Sequence, residues 1–339
     1  MTTSDIPDAA LAGALAAAAT GYPAAAVSRF TTGSQHYVFD VNFADRASVV
    51  VRLSLPRDRA LAAGSIALSR QLRPLGVPLP AILAANLDST FPYVVFERLP
   101  GTDLGQVAAK LPKSRLEGIA AKVAEAQRIV ATTPSAGRYG YAADPASAPC
   151  VRWSQILDNS LNKSRGRIAS TGLFDLQLVD DVEAVLAAMR DEVDAQPAVP
   201  YLHDTTTKNV IVAPDGTFSG IVDVDDLCFG DPRSVIALTL AALAAFGGPL
   251  SYAENWLALT GFKDDRLFRL YVVLCLLDFL SEQGQVFNGN ELTSSEEEQQ
   301  RLLGIFNEAF RRLTGWAASA CLSRRQNKTA RRCRNGQFA

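Results

Sequence analysis

Asp204, Asn209 and Asp223 follow one another at intervals of five and fourteen residues, each beside a short β-branched run. Val210-Ile211-Val212 and Phe218-Ser219-Gly220-Ile221-Val222 read as strands, and Pro214-Asp215-Gly216 between them is a turn signal. The segment is therefore expected to form a β-hairpin. Such a hairpin brings Asn209, just ahead of its first strand, close to Asp223 at the end of its second. Helix capping or a surface turn accounts for any one of these polar residues, but not for all three around a hairpin.

Phosphoryl transfer asks a protein for little covalent chemistry. It needs a carboxylate to orient the attacking hydroxyl and oxygen ligands to fix Mg²⁺ on nucleotide phosphates. Asp204 suits the first role, and Asn209 with Asp223 suits the second.

The stretch Tyr201-Leu202-His203-Asp204-Thr205-Thr206-Thr207-Lys208-Asn209, followed by Asp223-Val224-Asp225-Asp226-Leu227-Cys228-Phe229-Gly230-Asp231-Pro232, resembles the aminoglycoside phosphotransferase family. That family, which also includes macrolide, choline, homoserine and fructosamine kinases, carries His-x-Asp-x-x-x-x-Asn and then an Asp-rich element ending in Gly-Asp-Pro. The resemblance implies an α+β, protein-kinase-like two-lobed fold, with a small β-rich N-lobe and a larger, mainly helical C-lobe. It makes Asp204 the catalytic Asp, Asn209 and Asp223 the metal ligands, and Asp231 a brace for the loop. One departure is plain. The family His stands two residues before the Asp, where this chain has Leu202, and His203 adjoins Asp204 instead. Because that His braces the loop, the shift is expected to alter packing more than chemistry.

The first third reads as strand (Val27–Phe30), turn, strand (Tyr37–Phe43) and, after Ala44-Asp45-Arg46, a third strand over Val49–Leu53. By resemblance, the first turn lies over the nucleotide phosphates through Gly33 and Ser34, and Arg52 on the third strand reaches them. Arg52 also has support of its own, since a cation beside three Val residues is costly to bury without an anionic partner. The family places a Glu on the next helix as that partner, whereas the stretch from Ala60 to Leu72 holds no acid. Arg52 is thus expected to pair elsewhere in the small lobe or with the phosphates alone. Tyr93-Val94-Val95-Phe96-Glu97, ending in Pro100-Gly101, reads as the strand leading into an interlobe hinge. By resemblance, the Glu97 carbonyl and the Leu99 N–H meet the base of ATP or GTP. The division expected is an N-lobe over 1–98, a hinge over 99–103, a helical C-lobe over 104–321 and a basic tail over 322–339.

Apolar residues recur at helical spacing from Leu116 to Val130 and from Val179 to Met189. Val235 to Phe246 is apolar on every side, as a buried helix is, and Ser294 with Glu297 makes a capping box for a further helix through Leu313. The Ala-rich stretch from Ala9 to Ala19 follows Asp5 and Asp8 without a basic region, which favours a surface helix over a signal peptide. The run from Leu270 to Leu280 is broken by Asp278 and too short to span a bilayer. Five cysteines without a C-x-x-C pair, together with only His36 and His203, speak for reduced thiols and against zinc. A cytoplasmic enzyme is expected.

Six basic residues and no acid lie between Leu322 and Ala339, so the net charge of −2 rests on a body of −8. An acidic body argues against nucleic acid as partner and suits a cationic substrate. The tail reads as disordered. Asp278 and Glu282 lie four apart on one helix face, and with Asp226 they are candidates for an acidic substrate cleft, unless Asp278 pairs with an Arg of the last helix. Trp153, Asp158 and Asn159 are further candidates. The sequence thus points to an ATP- or GTP-dependent, Mg²⁺-requiring phosphotransferase acting on a hydroxyl of a small molecule. A nucleotide-binding pseudokinase with a regulatory or scaffolding role is the alternative.

Overall fold

The computed structural model describes residues 6–30, 36–287, 290–291 and 295–334, with the backbone alone for 287, 290–291 and 316–334. Gly33, Ser34 and Ser294 lie outside the described residues. After α1 (Ala9–Thr20), capped by the Asp8 carboxylate on the Leu11 N–H, the chain lays down β1 (Ala26–Arg29), β2 (Tyr37–Asn42) and β3 (Val49–Leu53). Helix α2 (Arg59–Leu72) then precedes β4 (Ile82–Asn86) and β5 (Tyr93–Glu97). The five strands form one antiparallel sheet in the order β1-β2-β3-β5-β4. Ala12 and Ala16 of α1 pack on its face against Phe39, Val41, Val51 and Leu53, so this surface helix buries one side. Alternation along β3 then turns Arg52 to the opposite face.

Beyond β5 come β6 (Thr102–Asp103), the short α3 (Leu104–Val107), α4 (Lys113–Val130) and β7 (Gly140–Ala142). Three helices follow, α5 (Trp153–Thr171), α6 (Gln177–Ala188) and α7 (Arg190–Asp194), before β8 (Val199–Tyr201). The expected hairpin is present as β9 (Val210–Val212) and β10 (Phe218–Ile221), paired antiparallel and extended by β6 on its other edge. Gly101 lets β6 approach so closely: its φ is +106°, and a Cβ there would sit 1.8 Å from the Val212 carbonyl oxygen. Strand β11 (Leu227–Gly230) lies between β7 and β8, a small sheet that the sequence did not announce.

The remainder is helical, through α8 (Arg233–Phe246), α9 (Ser251–Thr260) and α10 (Arg266–Glu282). A two-stranded ribbon, β12 (Val286–Phe287) and β13 (Asn290–Glu291), leads to α11 (Glu296–Arg334). The core of this half gathers Trp153, Tyr252, Trp256, Phe268 and Tyr271, each at most 1% exposed. Burying one such ring contributes roughly 1.5–3 kcal/mol relative to leaving it in water.

Ser295 receives the Glu298 N–H at the start of α11, and the capping box expected from Ser294 lies outside the described residues. The backbone of α11 runs to Arg334, through most of the stretch expected to be a basic tail. Cys150, Cys228 and Cys275 are free thiols, as foreseen, while Cys321 and Cys333 lie outside the described side chains. Among the described residues no helix is long and apolar enough to cross a membrane.

Candidate active site

A cavity of about 530 Å³ opens between the five-stranded sheet and the β9–β10 hairpin. Val38 and Val50 form its roof, Ile211 and Ile221 its floor, and Glu97, Arg98 and Leu99 its rear edge. Such an apolar slot suits a flat aromatic base. At its front stand Arg52, Asp204, Asn209, Asp223, Asp225 and Asp226. The structure therefore places Arg52, Asp204, Asn209 and Asp223 in one cleft, while Gly33 and Ser34 lie outside the described residues.

The hairpin does the positioning. The Asn209 carbonyl accepts the Val222 N–H at 2.9 Å, which fixes Asn209 beside Asp223. The Asn209 side-chain NH₂ donates to the Asp204 carbonyl at 2.9 Å, so its own Oδ1 remains as an acceptor. The Asp204 carboxylate accepts the Thr206 hydroxyl at 3.0 Å. Asp223 is the one described non-glycine residue in the left-handed region, with φ of +63°. A side chain held there is strained, and such strain accumulates where function fixes the backbone. The Asp223 carboxylate is half open to the cleft, 51% exposed. Desolvation by the cleft walls pushes its pKa up, as do Asp225 and Asp204, while Arg52 and His36 oppose the rise.

The described residues hold no group of three His, Cys, Asp or Glu side chains arranged for a metal. Mg²⁺ does not require one, since it takes one or two protein oxygens and completes an octahedron with phosphate and water. A carboxylate crowded by like charge, with an amide oxygen beside it, fits that demand.

Arg52 is 4% exposed. Its Nη1 is 2.6 Å from Asp225 Oδ1 and 3.4 Å from Asp223 Oδ1. The shorter contact is an ion pair off hydrogen-bond geometry, and Nε and Nη2 have no acceptor among the described residues. Contrary to expectation, the acidic partner of Arg52 is not in the small lobe but on the loop after β10. Asp225 is joined there by His36, whose Nε2 donates to Asp225 Oδ2 at 2.8 Å while Nδ1 meets the Ser54 hydroxyl at 3.1 Å. Burial works to raise the Asp225 pKa, but the Arg52 and His36 contacts outweigh it and hold the carboxyl at about 2.

His203 Nε2 lies 2.6 Å from Asp226 Oδ1, and its ring meets Tyr141 edge-on. Burial works against a charged imidazole, yet the Asp226 hydrogen bond and the charges of Asp226, Asp204 and Asp223 keep the His203 pKa above its usual value. Asp226 thus lines the cleft but is engaged by His203. Gln127 of α4 braces the loop. It accepts the Leu202 N–H at 2.9 Å and donates to the Leu202 carbonyl at 2.8 Å and the Thr205 hydroxyl at 2.9 Å. Sequence reasoning missed Gln127, although it is the one polar side chain on the buried face of α4 among Val123, Ala126 and Val130.

Asp231, 3% exposed, receives Arg233 and the Tyr271 hydroxyl, and the Trp153 indole donates in turn to Tyr271 at 2.9 Å. The loop after β11 is thereby tied to α5, α8 and α10, and Trp153 is a core residue rather than a substrate contact. Asp278 and Glu282 do not line the cavity. Arg167 of α5 reaches both, at 3.0 and 3.4 Å, and Lys163 adds to Asp278, so among the described residues the partners come from α5. Asp158 is likewise taken by Arg190, and Asn159 is exposed.

The model of the phosphotransferase enzyme family matches residues 26–270. A thermostable mutant of aminoglycoside phosphotransferase APH(4)-Ia, in ternary complex with AMP-PNP and hygromycin B, is 16% identical with a TM-score of 0.60, covering 88% of this chain and 97% of that one. The GDP and kanamycin complex of APH(2'')-IIIa is 17% identical with a TM-score of 0.61, covering 90% and 98%. A putative fructosamine-3-kinase from Thermobifida fusca is 19% identical with a TM-score of 0.56, covering 88% and 98%. These likenesses establish the kinase-like fold, a β-sheet region followed by a helical one. No curated protein sequence matches the chain.

Proposed function

This chain belongs to the phosphotransferase enzyme family, and from that premise we propose that it transfers the γ-phosphoryl group of ATP or GTP to a hydroxyl of a small molecule. The observation that carries the reading is Arg52, a buried guanidinium with two nitrogens, Nε and Nη2, lacking acceptors among the described residues, facing the same cleft as Asp204, Asn209 and Asp223. Buried donors without acceptors are costly, and phosphate oxygens are the acceptors such a fork suits.

In this reading the base lies between Val38 and Val50 above and Ile211 and Ile221 below, against the backbone of Glu97 and Leu99. Asn209 and Asp223 hold Mg²⁺, which when bound neutralises charge on the phosphates. Asp204 orients the acceptor. The acceptor oxygen attacks the γ-phosphorus, the bond to the bridging oxygen breaks, the nucleoside diphosphate departs, and the hydroxyl proton passes to Asp204. Arg52 stabilises charge on the phosphates throughout. The similar proteins in complex with nucleotide and aminoglycoside support a hydroxylated, amine-bearing acceptor.

The pseudokinase reading loses one motive, because Arg52 has an acidic partner after all. Thermal melting with ATP or GTP, with and without Mg²⁺, tests the site. Turnover with a panel of amino sugars, macrolides, choline and amino alcohols tests the chemistry, and nucleotide binding without turnover of any acceptor favours the scaffold.

A further inference from the structure

We infer that Asp225 is a positioning residue for Arg52, doing from the large lobe what an acid on α2 would do from the small one; this rests on the phosphotransferase reading of the cleft. Helix α2 carries no acid, yet Arg52 is 4% exposed and needs a fixed counter-charge. Asp225 supplies it at 2.6 Å, and its second oxygen is held by His36 at 2.8 Å, itself secured by Ser54. Both oxygens of one carboxylate are thus engaged by β3 and the segment just before β2. The guanidinium is thereby aimed, with Nε and Nη2 free of acceptors among the described residues and open to a ligand.

The helix is shaped for this arrangement. A Cβ on Gly64 of α2 would stand 2.5 Å from the Asp225 backbone oxygen, a distance real side chains do not adopt. Glycine at this position thus lets the backbone of Asp225 lie directly against α2. Because the contact joins the sheet to the loop, it also sets the spacing of the two halves before any nucleotide enters.

A double-mutant cycle on ATP and adenosine affinity, with Mg²⁺ present, tests the assignment. Asp225→Asn should weaken ATP about tenfold, equivalent to about 1.4 kcal/mol, and leave adenosine within about twofold. In an Arg52→Ala background the same substitution should change ATP affinity by less than about twofold. Gly64→Ala, which moves the loop and keeps every charge, should show the same ATP-selective loss if Asp225→Asn fails to fold. Additive losses, equal losses for both ligands, or tighter ATP binding on removing Asp225 would overturn the assignment; the last would make Asp225 a competitor for Arg52. Wild-type protein that binds no nucleotide would instead sink the phosphotransferase reading itself.

Discussion

Gln127 clasps Leu202 from both sides, accepting its N–H at 2.9 Å and donating to its carbonyl at 2.8 Å. One buried side chain on α4 thus fixes the backbone two residues before Asp204. The brace thus comes from a neighbouring helix, while His203 pairs with Asp226.

Gln127→Leu keeps the volume but strands the Leu202 N–H and carbonyl and the Thr205 hydroxyl. A buried polar group without a partner costs about 1–3 kcal/mol, so urea unfolding should show a loss of at least that size. The same variant should lower kcat more than it raises the KM for ATP, because it displaces Asp204 and not the base slot. A stability equal to wild type would show that the loop needs no such clasp.

The His203–Asp226 pair predicts a pH-dependent stability. The folded pKa of His203 lies above its unfolded value, so protonation favours the folded state. That contribution is fully present below the unfolded pKa of about 6.5 and is lost as pH rises through the folded pKa. The melting temperature of wild type should therefore exceed that of His203→Gln most at acid pH, and the gap should close toward alkaline pH. A gap that widens with rising pH contradicts the pairing.

Asp231 anchors the loop after β11 by a buried ion pair with Arg233 and a hydrogen bond from Tyr271. Removing one partner of such a pair leaves the other charge buried, at a cost of about 3–5 kcal/mol. Asp231→Ala should be destabilised by that amount in denaturant titration, with Arg233 left uncompensated. A loss below about 1 kcal/mol, the value of an exposed pair, would show the cluster to be solvated.

Asp223→Ala should abolish the Mg²⁺-dependent part of nucleotide stabilisation and leave the fold intact, since stabilisation follows the ligand's affinity for the native state. Melting curves with Mg·ATP would read this. An unshifted Mg·ATP affinity would move the metal elsewhere.

Much of the site was legible because its residues are close in sequence. The spacing of Asp204, Asn209 and Asp223, with two strands between, specifies both a hairpin and what stands at its ends. The partner of Arg52 was not legible, because Asp225 is distant in sequence and only packing of the sheet on the loop brings the two together. Gln127 left a signal, a polar residue on an apolar helix face. The clefts suggested for Asp278 and Glu282 failed for a physical reason: an acid inside an apolar run is expensive unless paired, and α5 places Arg167 and Lys163 to pair with them. Strands β7, β8 and β11 are three or four residues each and too short to impose a period.

The central claim is that Asp204 receives the acceptor's proton during phosphoryl transfer, and steady-state kinetics of Asp204→Asn test it most directly. The substitution keeps the shape and the contact to Thr206 while removing the charge. A general base contributes roughly 10²–10⁴-fold to rate, so kcat with any acceptor found in the panel, or basal ATP hydrolysis before one is found, should fall by about that factor with the KM for ATP little changed. A kcat near wild type would contradict the account and place the proton acceptor elsewhere, with Asp226 next in the same cleft.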